Sequence, residues 1–239
     1  MAGPQAVRAG GAQRIPRPPS WRVGGPAPWA AAGAARAGSG ADVPLGLLVE
    51  AIAARGAGAP PDYALAEPRL SAVLVALFDG DRGAEVVLTR RAEHLNNHKG
   101  EISFPGGRAD PGESPVAAAL REAHEEVLLD PATVEVVGEL DHLATWVSGS
   151  LIVPVVGRLA RRPDLRAGTE EVDRIFTVPL ADLLRADTYH EEVWDNDARW
   201  GDATVERSLY FFTLDDETVW GATARVLVQL LSIATGVAQ

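Results

Sequence analysis

The stretch Leu120-Arg121-Glu122-Ala123-His124-Glu125-Glu126-Val127 sets three glutamates at positions i, i+3 and i+4. On a helix these carboxylates share one face. Like charges at that spacing repel, so a bare helix is weakened and a compensating charge is called for. Hard divalent cations bind oxygen ligands of this kind, and Mg²⁺ characteristically combines a few carboxylates with waters and substrate phosphate oxygens. Taken alone, a Glu-rich amphipathic helix reads as a solvated face laced with Arg–Glu pairs.

The residues upstream sharpen the reading. Phe104-Pro105-Gly106-Gly107 precedes the helix, and the whole runs Gly107-x5-Glu113-x7-Arg121-Glu122, then Glu125-Glu126, then Leu129. This segment resembles the Nudix box, the loop–helix–loop motif of enzymes that hydrolyse nucleoside diphosphates linked to another moiety. Leu128 departs from the pattern, since the family usually has Gly there as a helix C-cap that tolerates positive φ. We expect the helix to run a turn further and stop at Asp130-Pro131, because the residue before Pro disfavours the α region.

The resemblance implies an α/β fold, a three-layer α/β/α sandwich around a mixed sheet. It implies Mg²⁺ or Mn²⁺ held by Glu122, Glu125 and Glu126 with the backbone carbonyl of Gly106. Arg121 would orient the glutamates, with Glu113 as its partner. One more carboxylate must take a proton from water, and Glu125 and Glu171 compete for that role.

A second resemblance concerns the substrate. Within Leu88-Thr89-Arg90-Arg91-Ala92, the residues Leu88, Thr89, Arg91 and Ala92, followed by Gly100 four residues before Phe104, are similar to the extra signature of the coenzyme A pyrophosphatase branch of these hydrolases. Asn96 stands where that signature usually has Arg; Arg90 or Lys99 could supply the missing cation. Arg90, Arg91, Lys99 and Phe104 are therefore the candidate substrate contacts. Arg suits this work because its planar fork grips phosphate in two places. The implied reaction splits the pyrophosphate of coenzyme A or its derivatives into 3′,5′-ADP and (acyl-)phosphopantetheine. A Nudix hydrolase of ADP-ribose, a dinucleotide or an oxidised nucleotide is the alternative that Asn96 favours, and a noncatalytic nucleotide-binding module is a third reading. His94 and His98 lack metal-ligand spacing, and His124 is expected to point off the metal face.

Composition bounds the rest. A net charge of −11 argues against nucleic-acid binding through a basic surface. The absence of cysteine excludes disulfides, thiolate metal sites and a Cys nucleophile. No run of about 18 apolar residues suggests a membrane span, and Arg8, Arg14, Arg17 and Arg22 interrupt any secretory pattern. A cytoplasmic protein acting on a small nucleotide-type substrate, with no membrane partner, is the expectation; a homodimer is left open.

Three segments emerge. Residues 1–42 are rich in Ala, Gly, Pro and Arg, which predicts a disordered or loosely attached tail, with docking of Trp21 and Trp29 as an even alternative. Residues 43–67 hold a short amphipathic helix over Leu45–Ala54 and a linker broken at Pro60-Pro61. Residues 68–239 form the domain proper. Strands are predicted at Ser71–Phe78 and Glu85–Thr89 as a hairpin, then at Val134–Leu140, Ile152–Leu159, Ile175–Val178 and Leu209–Leu214. Ser114-Pro115 opens the glutamate helix as N-cap and first helical residue, and a long helix closes the chain from about Trp220 to Thr235.

Overall fold

Strand β2 (Arg69–Gly80) is the axis on which the molecule is built. It pairs antiparallel with β3 (Gly83–Arg91) and, at its other end, with β5 (Gly106–Arg108); along its far edge it runs parallel to β8 (Ser150–Leu159). The hairpin predicted from the two apolar runs is thus present, closed by Gly80 opposite Gly83. The sheet is completed by β4 (Ile102–Ser103), β6 (Val134–Glu139), β7 (Leu143–Thr145) and β9 (Val172–Pro179). Parallel and antiparallel neighbours make it mixed. The computed structural model describes residues 8–30, 42–61, 65, 67–95, 97–145, 149–195 and 206–237.

Alternation along β2 sorts its side chains between two layers. Ala72, Leu74, Ala76 and Phe78 pack with Ala118, Ala119, Ala123 and Val127 of helix α2 (Pro115–Val127). Val75 and Leu77 face the opposite side, where helices α1 (Leu45–Arg55) and α4 (Gly221–Thr235) bury Leu48, Ile52, Leu227 and Leu231. Both faces of the strand are covered, which is why its sequence reads as a nearly continuous apolar run. The three-layer α/β/α sandwich follows. Helix α1 contributes to one outer layer rather than lying in a linker. Among the described residues no helix is long and apolar enough to cross a membrane.

A second sheet flanks the first, in the order β1 (Trp21–Val23), β10 (Tyr189–Trp194), β11 (Arg207–Thr213), β12 (Thr218–Trp220). A one-turn helix α3 (Leu180–Leu183) leads into it. Strand β10 was not legible in the sequence, because Tyr-His-Glu-Glu carries two acids, one of them buried.

The expectation of a loose tail is corrected for residues 8–30. Gly10 N donates to the Leu214 carbonyl at 2.9 Å, β1 pairs antiparallel with β10, and Trp29 is 2% exposed, stacked on Phe212. Arg17 donates through Nε and Nη2 to the carboxylate of the buried Glu192 at 2.8–2.9 Å. A buried aromatic and a buried ion pair outweigh the entropic tendency that composition records. Trp21 stays 43% exposed. Residues 1–7 and 31–41 lie outside the described residues.

The end of α2 also differs from expectation. Ser114 caps it as predicted, its Oγ accepting from Ala117 N at 3.2 Å. The helix then stops at Val127, not at Asp130. Leu128 takes the left-handed conformation (φ 54, ψ 31), the geometry a glycine would adopt, with Leu128 N on the His124 carbonyl and Leu129 N on the Ala123 carbonyl. A left-handed residue with a Cβ costs about 1–2 kcal/mol, which these cap bonds offset. Asp130 instead caps the short turn Pro131–Thr133, accepting from Ala132 N at 2.9 Å.

Candidate active site

The loop between β4 and β5 brings Gly106 and Gly107 beside the glutamate face of α2. Gly106 N donates to Glu126 Oε2 at 3.1 Å. Gly107 packs so closely on Glu122 that an added Cβ would lie 2.5 Å from its carboxylate carbon. A Cβ at Gly106 would instead meet β2, 2.4 Å from the Ala72 carbonyl oxygen, so that glycine lets the chain lie close on the strand.

The three glutamates occupy different environments. Glu126 is 8% exposed, and burial pushes its carboxyl up to about 7, against the opposing pull of the Gly106 amide and Arg91. Glu122 is half-buried and also raised, chiefly by burial, with Arg121 opposing. Glu125 is exposed.

Arg121 binds the cluster together. Its Nε and Nη2 grip the two oxygens of Glu113 at 3.0 Å, and Nη2 also donates to the Arg108 carbonyl. Nη1 reaches Glu122 Oε1 at 3.0 Å and Glu125 Oε2 at 3.2 Å. Glu113 is held below the usual carboxylate range by Arg121, with a second contribution from the Asp110 amide. The Arg121–Glu113 partnership read from the motif is the one found, and Arg108 joins it through a main-chain atom that no sequence pattern signals.

The Arg90-Arg91 pair is split. Arg91 reaches into the site: Nη1 lies 4.0 Å from Glu126 Oε1 and Nη2 3.2 Å from Glu171 Oε2, while its buried Nε has no hydrogen-bond partner among the described residues. Glu171 thereby joins the glutamate face from the connection before β9. Arg90 is spent elsewhere, on Asp173 at 2.6 Å and on the fully buried Glu217 at 2.8 Å. Its assignment as a substrate contact is therefore corrected: neighbouring strand residues point to opposite faces, and only one of the two can face the site. Arg174 pairs with Asp216 and Glu217, leaving Glu171 to Arg91.

Phe104 is also corrected. It is 2% exposed and packs in the core with Ile102, so it supports the glycine loop from beneath. Lys99 is exposed on the 92–101 loop, whose ends are clamped by Arg91 N on the Glu101 carbonyl and Gly100 N on the Arg91 carbonyl. In the same loop His98 pairs with Glu101 at 2.8 Å, His94 is exposed, and Asn96 lies outside the described residues. His124 turns to the Leu129 carbonyl at 3.1 Å, off the glutamate face.

As they stand, Glu122, Glu125 and Glu126 are not gathered around one point; among the described residues no three acidic or histidine side chains are. Arg121 draws Glu122 and Glu125 onto itself, and Gly106 N holds Glu126. The donor set nonetheless fits a hard divalent cation. It offers oxygen ligands only, and two of the carboxylates, Glu122 and Glu126, are disfavoured in their charged form by burial, a cost that a bound cation would relieve.

Comparison with known proteins shows the family. The NUDIX domain family matches residues 68–200, more than half of the chain. A protein of Enterobacter sp. (strain 638) described as the uncharacterized Nudix hydrolase NudL is 40% identical over 165 residues, covering 68% of this chain and 81% of that protein. A Photorhabdus laumondii protein of the same description is 36% identical over 172 residues, covering 72% and 88% respectively. The Escherichia coli (strain SMS-3-5 / SECEC) protein so described is 38% identical over 166 residues, 68% of this chain and 81% of its own. With glycine loop, glutamate helix and Arg121 assembled as above, this chain belongs to the Nudix family and is a pyrophosphohydrolase.

Proposed function

We propose that the protein hydrolyses the pyrophosphate of coenzyme A or its derivatives, releasing 3′,5′-ADP and (acyl-)phosphopantetheine. The observation that carries this reading is the position of Arg91. The one arginine that fits the coenzyme A signature stands between Glu126 and Glu171, with a nitrogen that has no partner among the described residues. Gly100, from the same signature, clamps the loop directly onto the Arg91 main chain. Coenzyme A carries a 3′-phosphate, so its adenosine end asks for more cationic contacts than a plain ADP conjugate. Arg91 and the exposed Lys99 are the residues that would meet its phosphates.

Glu122, Glu125 and Glu126, with the Gly106 carbonyl, would hold Mg²⁺ or Mn²⁺, which when bound neutralises phosphate oxygens and lowers the pKa of the attacking water. Arg121 keeps Glu122 and Glu125 aligned through its grip on Glu113. Arg91 draws a phosphate oxygen toward the glutamate face. Water adds to phosphorus, the bridging P–O bond breaks, and the proton passes to Glu171 or Glu125. Both are exposed and each pairs with one arginine at 3.2 Å, Glu171 with Arg91 and Glu125 with Arg121, so the two compete for that role on equal terms.

The test is a product assay of purified protein with Mg²⁺ or Mn²⁺, offering coenzyme A beside ADP-ribose, NADH and an oxidised deoxynucleotide. Release of 3′,5′-ADP from coenzyme A, abolished by chelator, is expected. Cleavage of another compound with coenzyme A untouched would overturn the substrate assignment and keep the mechanism.

A further inference from the structure

The connection between β8 and β9, residues 160–171, meets the carboxyl end of α2. Arg166 N donates to the Val127 carbonyl at 3.2 Å and Gly168 N to the Glu126 carbonyl at 2.9 Å. Leu165 packs on the core cluster that holds Val127 and Leu129. Glu126 is therefore tied at both ends, its carboxylate to Gly106 and its carbonyl to Gly168. Three residues further on, the Glu171 carbonyl accepts from Ala92 N at 2.8 Å while its carboxylate takes Arg91.

Gly168 has no room for a side chain. A Cβ there would fall 2.1 Å from the Glu125 carbonyl oxygen and 3.0 Å from Leu128 Cδ2. The second contact gives Leu128 a purpose. Its backbone adopts a conformation that glycine would reach without strain, yet its side chain, although 48% exposed, lies beside Gly168. A glycine at 128 would satisfy the helix cap without placing a side chain there.

We infer that Gly168 and Leu128 form a latch that sets Glu171 and Arg91 against the glutamate face, so that Gly168 and Leu128 are positioning residues for the hydrolysis. The inference rests on the reading of Glu171 as a site carboxylate. The link from Gly168 to Glu171 is three residues, and chain extends by at most about 3.3–3.6 Å per residue, so the position of the latch bounds where Glu171 can sit. Misplacing a reacting group by about 1 Å can cost on the order of 10²-fold in rate.

The test is a double-mutant cycle measured as kcat and KM, with Mg²⁺ and the compound the wild-type protein cleaves in the assay above. Glu171→Gln is combined in turn with Gly168→Ala and with Leu128→Gly. Gly168→Ala is expected to lower kcat about tenfold or more with KM within about twofold, and to have no further effect once Glu171 is Gln. Leu128→Gly, which relieves backbone strain and so folds at least as well, is expected to show the same coupled loss of kcat at an unchanged or higher Tm. Two results would overturn the latch with Glu171 still a working residue: wild-type kcat in both latch variants, or losses that multiply with that of Glu171→Gln as a general destabilisation would. Wild-type kcat in Glu171→Gln itself would instead remove the reading of Glu171, and the latch with it.

Discussion

Gly107 and Glu122 contend for one space: a Cβ on Gly107 would sit 2.6 Å from both carboxylate oxygens of Glu122. The absence of a side chain in the loop is what allows the helix carboxylate to lie flat on it. Gly107→Ala is expected to displace Glu122, raise the Mg²⁺ concentration needed for half-maximal activity, and lower kcat/KM by on the order of 10²-fold. Far-ultraviolet circular dichroism unchanged from wild type would accompany it. Wild-type metal dependence in this variant would show that Glu122 has no part in holding the ion.

Glu126 carries a cost that the metal-free protein must bear. Its folded carboxyl lies near 7, above the ordinary 4.5, chiefly through burial. The folded state then holds more protons than the unfolded one between those values, so stability falls as pH rises from about 4.5 to 7. Glu126→Gln should abolish that decline, leave the chelated protein more stable at pH 8 by up to about 3 kcal/mol, and cut turnover by roughly 10²-fold or more. Chemical denaturation in chelator across that pH range measures the first effect. A variant as active as wild type would sink the metal assignment.

Arg90 and Arg91 are adjacent in sequence and should separate in phenotype. Arg91→Ala is expected to lower kcat/KM by on the order of 10²-fold, a loss of about 3 kcal/mol of transition-state binding, with little change in Tm. Arg90→Ala leaves the fully buried Glu217 short of one of its cations and should cost about 1–3 kcal/mol of stability while sparing kcat. Steady-state kinetics beside thermal melts would show the two effects exchanged if the assignment of faces were wrong.

Residues 8–30 should behave as part of the domain. Trp29→Ala is expected to cost about 3–5 kcal/mol, and Arg17→Ala about 2–3 kcal/mol, because Glu192 then lies buried without its cation. Burial pushes Glu192 up, but hydrogen bonds from Arg17 and Trp194 outweigh it and hold its carboxyl below the ordinary range. A depressed acid contributes stability above its unfolded value, and that contribution is lost as pH falls through the folded one. Wild type should thus lose its advantage over Arg17→Ala in acid, measured as the difference in Tm with pH. A constant difference down to acid pH would count against the pairing.

Much of this was written locally. The spacing of Glu122, Glu125 and Glu126, the Ser114-Pro115 start, and the apolar runs of β2, β3 and β8 depend on neighbours a few residues away. Helical and strand periodicities therefore expose them. The chain from 8 to 30 was misjudged because composition measures average apolar content, and one Trp29 finding a cavity beside Phe212 does not alter an average. Strand β10 was missed because Glu192 reads as a surface charge until Arg17, 175 residues away in sequence, is brought to it.

The sequence by itself determined the glycine loop, the carboxylate face and the arginine that organises it, since each follows from residue type at fixed local spacing. Only the tertiary structure decided which of Arg90 and Arg91 faces the site, that Phe104 is core, and that Leu128 ends the helix as a glycine would. Those outcomes turn on which face of β3 is covered and on what the β8–β9 connection packs against. Both are contacts between segments far apart in the chain, where no local pattern carries the information.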